Sequence, residues 1–545
     1  MVAGVREGTL YANVQRQLNF VDTLAWTSGA HQLRFGMDYR RLSPTSGAGS
    51  SYVALAGFPE LVLGNVKSVL LLTKFPYSVR INNYSLFAQD TWKIANRLTL
   101  TYGLRWEINP APESAMSGKP LYAVQGVFDS APLALVPGTP WHTQYGNFAP
   151  RVGIAYQVTP KTVVRGGFGL YYDLGYGNFG DESASFPYFR TQLTTEPGLG
   201  FPFNLSNPAF QPIPFSTAGG GLAVDPNLQV PLTLQWNVAI ERQLGAKQRL
   251  TATYLGADGR RLLREDRIFL PILMGNAIPV IWNGDYSHYE ALQVQFQRRM
   301  SRGLQALVSY TFAKTSDLGS NDGTGTQAPS VSQVVLPPLS PSDFDIRHSV
   351  AGAVSYEVPA PAWGHAGNAI LKGWAVDGLV RVSSAPPINV TVGNQDATIG
   401  FYQLQASVVP GQPFWIADPT QPSGRALNPA AFSNPPAGEL GDFPRNSLRS
   451  PYSIVQTDLA LRRRFILTER LKLDVRAEYF NIFNHPMFGA PGFNQPNTQF
   501  GTLGFGTVGI TTNNTLGSGG AGGGQNSLYA VGGPRSAQFT LKLLF

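Results

Sequence analysis

The stretch RLTLTYGLRWE, residues 97–107, decides the fold class, because apolar and polar side chains alternate along it. Every second residue from Leu98 to Trp106 is apolar, and the residues between them are Thr, Gly or Arg. Successive side chains of a β-strand point to opposite faces, whereas a helix would spread these apolar side chains around its circumference. The stretch therefore predicts a strand with one apolar face and one polar face.

The same period of two recurs along the chain. Residues 470–479 alternate charged with apolar side chains, and residues 292–297 alternate apolar side chains with glutamines. Such runs, bounded by turn signals, predict fifteen strands, at residues 8–27, 31–42, 79–94, 97–109, 147–158, 162–174, 231–244, 248–258, 286–300, 303–316, 343–358, 370–384, 450–466, 469–484 and 535–545. Most reach about ten residues or more, which exceeds the usual five or six of globular sheets and suits a tilted membrane-crossing strand of roughly 9–11 residues.

The connections between these strands alternate in length. Short links follow most odd-numbered strands, at residues 28–30, 95–96, 159–161, 245–247, 301–302 and 467–468, and a longer link spans residues 359–368. Long segments rich in Gly, Pro, Asn and Ser follow even-numbered strands, near residues 175–230, 317–342, 385–449 and 485–534. This asymmetry is typical of outer-membrane barrels. We therefore predict an all-β fold, an antiparallel transmembrane β-barrel with short periplasmic turns and long extracellular loops.

Composition excludes several other classes of protein. The chain has 545 residues, a net charge of +8 and only 14% charged residues, against about 25% in an ordinary soluble domain. No apolar run approaches the 18 residues of a transmembrane helix, and residues 1–7 lack the features of a secretory signal peptide. The absence of cysteine excludes disulfides and thiolate metal sites.

The sequence offers no pattern typical of catalysis. The six histidines are scattered singly, and neither a phosphate-binding loop nor a G-x-S-x-G elbow is present. Gly166-Gly167-Phe168-Gly169 lacks a following helix, so a kink in a strand is the better interpretation than a nucleotide site. We therefore predict no catalytic residue, no cofactor and no metal, and the chain is not expected to be an enzyme.

Two acidic segments leave alternatives open. Residues 317–323 space their oxygen ligands loosely like a calcium loop, but turn chemistry explains Asn-Asp-Gly equally well. The second segment has two interpretations: a charge cluster in the lumen or a cap that orients the start of a strand at the loop rim, which we prefer. Its residues are Asp343, Asp345, Arg347 and His348.

The chain ends on an alternating apolar pattern. Apolar residues occupy the last, third-, fifth- and seventh-from-last positions, at Phe545, Leu543, Leu541 and Phe539. This ending resembles the C-terminal signal that the barrel-assembly machinery of bacteria recognises. Aromatic residues also recur near strand ends, as a girdle at the lipid interface requires; they are Tyr84, Trp92, Trp106, Tyr171, Tyr172, Tyr310 and Tyr479.

Several segments together resemble TonB-dependent outer-membrane receptors. They are NNYSLFAQDTWK at residues 82–93, LTLTYGLRWE at 98–107, FAPRVGIAY at 148–156 and SDFDIRH at 342–348. The segment AEYFNIFNHPMFG at 477–489 is similar to the penultimate strand of the Oar-like subgroup, and FGTVGIT at 505–511, Pro534-Arg535 and the terminal strand complete the match. The resemblance extends from about residue 80 to the C-terminus.

The resemblance implies a barrel of 22 strands, an N-terminal plug domain, a signal peptide and a contact with the TonB energy-transducing complex. Oar-like receptors also carry a carboxypeptidase-regulatory-like domain. Residues 1–545 are expected to be one partial barrel domain without these parts. If the last of the fifteen strands is the twenty-second strand of the barrel, the first of them is the eighth. An eighth strand runs toward the periplasm and must end in a short turn, as residues 28–30 do. We expect a truncated reading frame or fragment that cannot form a working transporter alone.

The function implied is energy-dependent transport of an unidentified substrate across the outer membrane of a Gram-negative-type bacterium. Capture by the loops and the plug apex would be followed by passage along a polar wall, whose candidate residues are Gln293, Gln295, Gln297, Arg470, Lys472, Asp474, Arg476 and Glu478. Siderophore, oligosaccharide, peptide and protein export all remain open. The alternatives are a passive porin or secretion channel, and a secreted β-rich adhesin or carbohydrate-binding protein.

The expected partners follow from this location. They are outer-membrane lipid and lipopolysaccharide, the barrel-assembly machinery, the TonB complex through the missing plug region, and the unknown ligand. Basic groups at residues 40–41, 260–261, 298–299 and 462–464 suit lipopolysaccharide phosphates or an anionic substrate. Nucleic acid is not expected, because apolar residues interrupt these groups.

Overall fold

A computed structural model describes residues 2–8, 12–57, 68–173, 187–194, 211, 214–215, 221–269, 277–320, 327–328, 334, 336–359, 372–394, 402–436, 441–485, 488–489, 497–502, 504–508, 510–511 and 535–545. Within them, fifteen long strands follow one another: β1 Asn13–Ser28, β2 His31–Ser46, β3 Tyr77–Ala95, β4 Leu98–Asn109, β5 Gln144–Thr159, β6 Thr162–Tyr172, β7 Leu232–Leu244, β8 Gln248–Phe269, β9 Ala277–Ser301, β10 Leu304–Asp317, β11 His348–Glu357, β12 Trp374–Ser383, β13 Ile454–Ile466, β14 Lys472–Phe480 and β15 Ser536–Leu544.

Each long strand pairs antiparallel with the next one in the chain, from β1 to β15. The all-β antiparallel fold and its fifteen strands are thus confirmed. No pairing among the described residues joins β1 to β15, so the sheet is not closed. The described residues include one 3-10 turn, Pro429–Ala431, and none of their helices is long and apolar enough to cross a membrane.

The two faces of the sheet differ sharply in chemistry. The register sets Leu86 of β3, Trp106 of β4 and Phe148 of β5 side by side, and comparable rows of apolar side chains continue to β15. Many of these apolar side chains are exposed. A continuous exposed apolar face of this extent is unfavourable in water and favourable against lipid. We call it the outer face.

Connecting segments fold over the opposite, polar face. Tyr77 and Ile81 of β3 pack in one core with Ile281 of β9, through Trp141 and Leu228 of the intervening loops. Because β3 and β9 lie six strands apart, a core that joins them lies across the polar face. This face is therefore the concave one, and the loops cover part of its extracellular end.

Shorter strands extend the loops. Four form a sheet beyond β2 and β3: Val2–Gly8, Gly49–Gly57, Ser68–Lys74 and Phe189–Thr194. The others are Glu113–Ser114, Tyr122–Gln125, Ala134–Pro137, Ala223–Val224, Gln327–Ala328, Ser340–Pro341, Pro387–Ile388, Thr391–Asn394, Tyr402–Gln405, Ser407–Val408, Trp415–Ala417, Arg425–Leu427, Phe432–Ser433, Leu448–Arg449, Phe488–Gly489, Gln499–Phe500 and Ile510–Thr511.

The connection between β12 and β13 has a core of its own. Leu427, Phe432 and Phe443 are buried there, and Phe500 and Phe505 from the connection before β15 pack against them. Two arginines fasten this loop body to the barrel rim: Arg445 binds Asp317 at the end of β10, and Arg449 binds Asp345.

Asp345 is fully buried and accepts a hydrogen bond from the Thr315 backbone amide at 2.8 Å. Its partner Arg347 lies 3.3 Å away, from Nη2 to Oδ2. These contacts agree with the preferred interpretation of this acidic segment, a cap at the rim, rather than with a free charge cluster in the lumen.

The connections agree with the expected asymmetry where they are described. Arg302 and Gly303 form the two-residue turn between β9 and β10, with φ of 54° and 77°. The longer link at 359–368 lies outside the described residues after Pro359, as do most of the 485–534 loop and much of the 175–230 loop. One residue of the expected aromatic girdle, Tyr171, lies on the concave face instead, because it follows the register of Gly169 and Arg151.

Candidate functional site: a polar pocket on the concave face

Two rows of side chains on the concave face of β3 to β7 form a pocket. In the first row the register places Gln89, Gly103, Arg151, Gly169 and Gln235 side by side. The second row holds Thr101, Gly153, Gly167 and Asn237. Alternation within each strand aims all of these positions to the same face.

The floor of this pocket consists of glycines. The pocket has a volume of about 220 Å³, and its lining includes Gly103, Gly153, Gly167 and Gly169. A Cβ on Gly103 would lie 2.7 Å from the Ala88 carbonyl oxygen, so this position excludes any side chain. A Cβ on Gly153 would meet only the Gly166 carbonyl oxygen, at 3.8 Å. The space above Gly153 is therefore open.

An aromatic ring and a cation border the pocket. The Arg151 guanidinium carbon lies 4.2 Å from the centroid of the Tyr171 ring, within the range of a cation–π contact. Amides of Gln89, Gln235 and Asn237 supply both donors and acceptors along the rest of the rim. We refer to these residues, with Thr101 and the four glycines, as the lumenal pocket.

A second group of polar residues lies on the concave face directly toward the extracellular end. Arg105 binds two carboxylates, Asp38 through Nη2 at 3.1 Å and Glu107 through Nε at 2.8 Å. The Asn83 amide donates to Asn109 Oδ1 at 2.5 Å. With Arg40 and Asn147 they form what we call the polar cluster. It contains two arginines and two carboxylates, so its formal charges cancel.

The polar cluster is buried but incompletely hydrogen-bonded. Glu107 and Asn109 are each 6% exposed, and Asn147 is 5% exposed. Five buried side-chain atoms have no hydrogen-bond partner in the structure: Asp38 Oδ1, Arg40 Nε, Glu107 Oε2, Asn109 Nδ2 and Asn147 Nδ2. Buried polar groups in proteins are almost always paired, so five orphans in one cluster require an explanation.

The predicted wall glutamines lie on the concave face of β9. Gln295 donates from Nε2 to Ser309 Oγ of β10 at 3.2 Å, and Gln297 accepts from Arg249 Nη2 at 2.8 Å. Gln293 lies opposite Thr311 of β10. These glutamines lie two strands beyond the lumenal pocket. A part in transport stays a prediction for them.

The predicted charged residues of β14 occupy the same face near the last strand. Asp474 forms a two-point ion pair with Arg464, at 2.6 and 2.8 Å, and Arg476 lies 3.0 Å from Glu478. Lys472 lies at the first position of β14. Arg470 precedes the strand and belongs to the turn at 467–471 rather than to the wall.

The candidate assembly-signal residues are on the outer face of β15. Phe539 pairs with Ala477, Leu541 with Val475 and Leu543 with Leu473. Phe545 follows the strand and is 99% exposed. Their recognition by the assembly machinery stays a prediction.

The described residues contain no group of three or more His, Asp or Glu side chains able to hold a metal ion. Asp317, a candidate calcium ligand, is bound by Arg445 instead. Asn321, Asp322 and Gly323 lie outside the described residues.

Alternation along single strands did not reveal the lumenal pocket. One signal was available, the run Gly166-Gly167-Phe168-Gly169, which we interpreted as a kink in a strand. Two of its glycines form part of the pocket floor, and Phe168 lies on the outer face opposite Trp236.

An open antiparallel sheet with an apolar outer face and a polar concave face defines the wall of an outer-membrane β-barrel. The family model of the outer membrane beta barrel domain matches residues 2–515. The chain belongs to this family, and its place is the bacterial outer membrane. None of the curated proteins compared with the chain matches it significantly in sequence.

Solved structures of outer-membrane receptors resemble the chain at low identity. The siderophore receptor PiuA from Acinetobacter baumannii is 10% identical with a TM-score of 0.45, and the match covers 98% of this chain and 56% of the receptor. The ferripyoverdine receptor of Pseudomonas aeruginosa is 9% identical with a TM-score of 0.43, and the match covers 100% and 55%. The chain thus spans little more than half the length of these two receptors.

Proposed function

We propose that the chain is the barrel part of a TonB-dependent outer-membrane receptor, which moves a solute along its concave face by energy-dependent transport. The observation that carries this proposal is the hydrogen-bonded polar concave face behind a continuous apolar outer face. A sheet that served only as a membrane anchor would have no use for charged and amide side chains in successive rows of β2 to β14. A water-filled transport path requires them.

Energy coupling is the finer part of the proposal. It is supported by the sequence resemblance at residues 82–93 and 148–156 and, for the Oar-like subgroup, at residues 477–489. We assign the plug, and the contact with the TonB complex, to a part of the receptor outside residues 1–545.

Contacts with the membrane complete the proposal. Arg41 on the outer face donates from Nε to the Tyr39 hydroxyl at 2.8 Å, beside the stacked ring of Tyr84. An arginine next to aromatic rings at the extracellular end of the strands suits the phosphate groups of lipopolysaccharide. Phe539 of the last strand and Phe545, which follows it, are the proposed contacts with the assembly machinery.

The test compares solute uptake in the bacterium that makes the protein with uptake in a strain lacking its gene. Both strains grow on a defined mixture of solutes, and depletion of each solute from the medium is measured with and without a protonophore. We expect the deletion and the protonophore to stop depletion of the same solute. Equal depletion of every solute by both strains would overturn the transport proposal, and uptake that survives the protonophore would favour a passive channel.

The size of the native product provides an independent check. An antibody against residues 536–545 is used to blot the outer membranes and the culture medium. A membrane band well above the 59.0 kDa of this chain is expected for a plugged receptor. A membrane band at that mass would favour a channel without a plug, and a product found only in the medium would favour an adhesin.

A further inference from the structure

We propose that the lumenal pocket and the polar cluster together bind a neutral, hydroxyl-rich solute, namely an oligosaccharide. This inference names the substrate class of the transport function proposed above and rests on it. The five orphaned atoms of the polar cluster, the pocket beside it and the aromatic rings between them carry the argument.

The orphaned atoms call for a ligand that both donates and accepts hydrogen bonds. Asn109 Nδ2, Asn147 Nδ2 and Arg40 Nε are donors, whereas Glu107 Oε2 and Asp38 Oδ1 are acceptors. A hydroxyl group satisfies either kind, so neighbouring hydroxyls of a sugar ring can pair with an amide and a carboxylate at once when these buried side chains rotate toward the ligand. A carboxylate or phosphate ligand can accept from the donors only.

The formal charges of the polar cluster cancel, which favours a neutral ligand there; Arg151 adds one positive charge in the lumenal pocket, where its guanidinium lies against the Tyr171 ring. Each carboxylate already pairs with Arg105, at 3.1 Å for Asp38 and 2.8 Å for Glu107. An anionic ligand would meet the free oxygens of these carboxylates, and a cationic ligand would meet Arg105 and Arg40. Either ligand would be repelled by a like charge of the protein, and charges interact strongly in a buried site.

Aromatic rings lie between the polar groups. Phe87 lies beside Arg105 of the polar cluster, and Tyr171 of the lumenal pocket lies two residues beyond Gly169 on the same face. A Cβ on Gly36 would lie 2.4 Å from Phe87 Cε1, so this ring covers the neighbouring strand. Apolar ring faces combined with a few fixed polar groups are typical of small-molecule sites. The C–H face of a sugar fits such a ring while its hydroxyls reach the amides.

The dimensions fit a chain of sugars. Gly103 in the pocket and Glu107 in the polar cluster are four residues apart on β4, which is about 13 Å along a strand. The pocket volume of about 220 Å³ is below the roughly 300–1,000 Å³ of drug-sized sites, so it holds one ring. A second and a third sugar ring extend from it toward the polar cluster.

Equilibrium binding to the full chain in detergent micelles tests the proposal. The pocket is built from neighbouring strands β3 to β7, so it does not depend on closure of the sheet. The probes are three neutral hexasaccharides (maltohexaose, cellohexaose and xylohexaose), the anionic hexagalacturonate, and citrate. We expect at least one neutral probe to bind about tenfold or more tightly than either anion. Failure of all three neutral probes, or tighter binding of an anion, would overturn the proposal.

Two variants place the binding site. Combined Asn109→Leu and Asn147→Leu substitutions remove two buried donors and should weaken the neutral probe about tenfold or more. The control Gln243→Leu removes an exposed amide on the same face, near the short turn after β7, and should leave binding unchanged. Equal binding by the double variant and the control would show that the sugar binds elsewhere and would overturn the site.

A third variant blocks the pocket at a position where a side chain should not disturb folding. Gly153→Leu fills the pocket from a position where a Cβ meets nothing closer than 3.8 Å, so the strand tolerates it. It should abolish binding of the neutral probe, and unaltered binding would contradict the proposal. Because these measurements need no transport, uptake without sugar binding refutes the substrate class alone, and sugar binding without uptake refutes transport alone.

Discussion

Arg105 is the residue on which the polar cluster depends. Its guanidinium separates Asp38 and Glu107, and Glu107 is almost completely buried. Arg105→Met should lower the free energy of unfolding by about 3 kcal/mol, because it leaves two carboxylates without their cation. Urea unfolding in micelles, followed by tryptophan fluorescence, measures the change.

The matched variant keeps the methionine and neutralises both acids. Arg105→Met combined with Asp38→Asn and Glu107→Gln should recover most of the lost stability, because no unpaired charge remains. A triple variant as unstable as the single one would show that Arg105 acts through packing rather than through its charge.

Asp285 makes the extracellular part of β9 sensitive to pH. It lies at the bulge in the pairing of β8 with β9, and burial raises the pKa of its carboxyl although the Tyr286 amide donates to Oδ1 at 2.7 Å. A group whose folded pKa is raised contributes stability below its unfolded pKa of about 3.9 and loses it as pH rises through the folded value. Neutral pH therefore destabilises this segment relative to acid.

The substitution Asp285→Asn should remove the loss of stability that ionisation of this carboxyl causes at neutral pH. Amide hydrogen exchange of residues 277–287, corrected for intrinsic rates, should be slower in the variant than in the parent at pH 7 and equal in both near pH 3. Asp317 and Arg264 also act on Asp285, with opposite signs. Faster exchange in the variant at pH 7 would mean that Arg264 stabilises the ionised form more than burial opposes it.

The turn between β9 and β10 requires a glycine at residue 303. Gly303 has a φ of 77°, and a Cβ there would lie 2.3 Å from the Glu357 carbonyl oxygen. Gly245 in the turn after β7 has a φ of 74° with open space around it. Gly245→Ala should cost about 1 kcal/mol of stability for backbone strain alone, and Gly303→Ala about 2–3 kcal/mol because the clash is added. Equal losses in urea unfolding would show that β11 moves away without cost.

The loop body between β12 and β13 depends on its attachment to the rim. Asp345→Ala leaves Arg449, Arg347 and the Thr315 amide without their acceptor and should loosen the loop by about 3 kcal/mol. The control Asp343→Ala removes a half-exposed carboxylate that accepts from Asn446 Nδ2 at 2.6 Å, and because Asn446 keeps the Pro341 carbonyl as a partner, stability should change by only about 1 kcal/mol. Limited proteolysis of residues 384–453 measures both, and equal cleavage rates would contradict a special role of Asp345.

The elements could be predicted from the sequence because each strand carries its own evidence. Alternation from Leu98 to Trp106 depends only on neighbouring residues, and the same holds for the alternation in β9 and β14. Turn residues such as Gly303 mark where the alternation stops. Near a strand end it is harder to assign a residue to the correct face from sequence. Tyr171 is an example, because we expected it on the outer face and it lies on the concave face.

The lumenal pocket could not be predicted in this way. It exists because Gly103, Gly153 and Gly167 of three different strands fall in two adjacent rows on one face, and that depends on register between strands. Register follows from turn geometry and from packing of the whole face, neither of which a single strand reveals. The polar cluster likewise joins Asp38 with Glu107, which are far apart in sequence.

At the scale of the whole molecule, strand direction decides how the sheet can close. Fifteen strands in antiparallel sequence make β1 and β15 run in the same direction. A direct pairing between them would be parallel, so closure in the antiparallel pattern requires an odd number of further strands. Seven further strands, as in the barrel of 22 that the resemblance to TonB-dependent receptors implies, would meet this condition.

The outer edges of β1 and β15, which pair with no further strand among the described residues, lead to the last prediction. Lipid supplies no hydrogen bonds to the backbone groups along β1 and β15, and each unsatisfied group costs several kcal/mol. The chain alone in micelles should therefore migrate equally on a gel with and without heating, and amides of β1 and β15 should exchange much faster than those of β5 to β7 in the same sample. A heat-sensitive compact form with slow exchange at both edges would show that they find partners, as in an assembly of several copies.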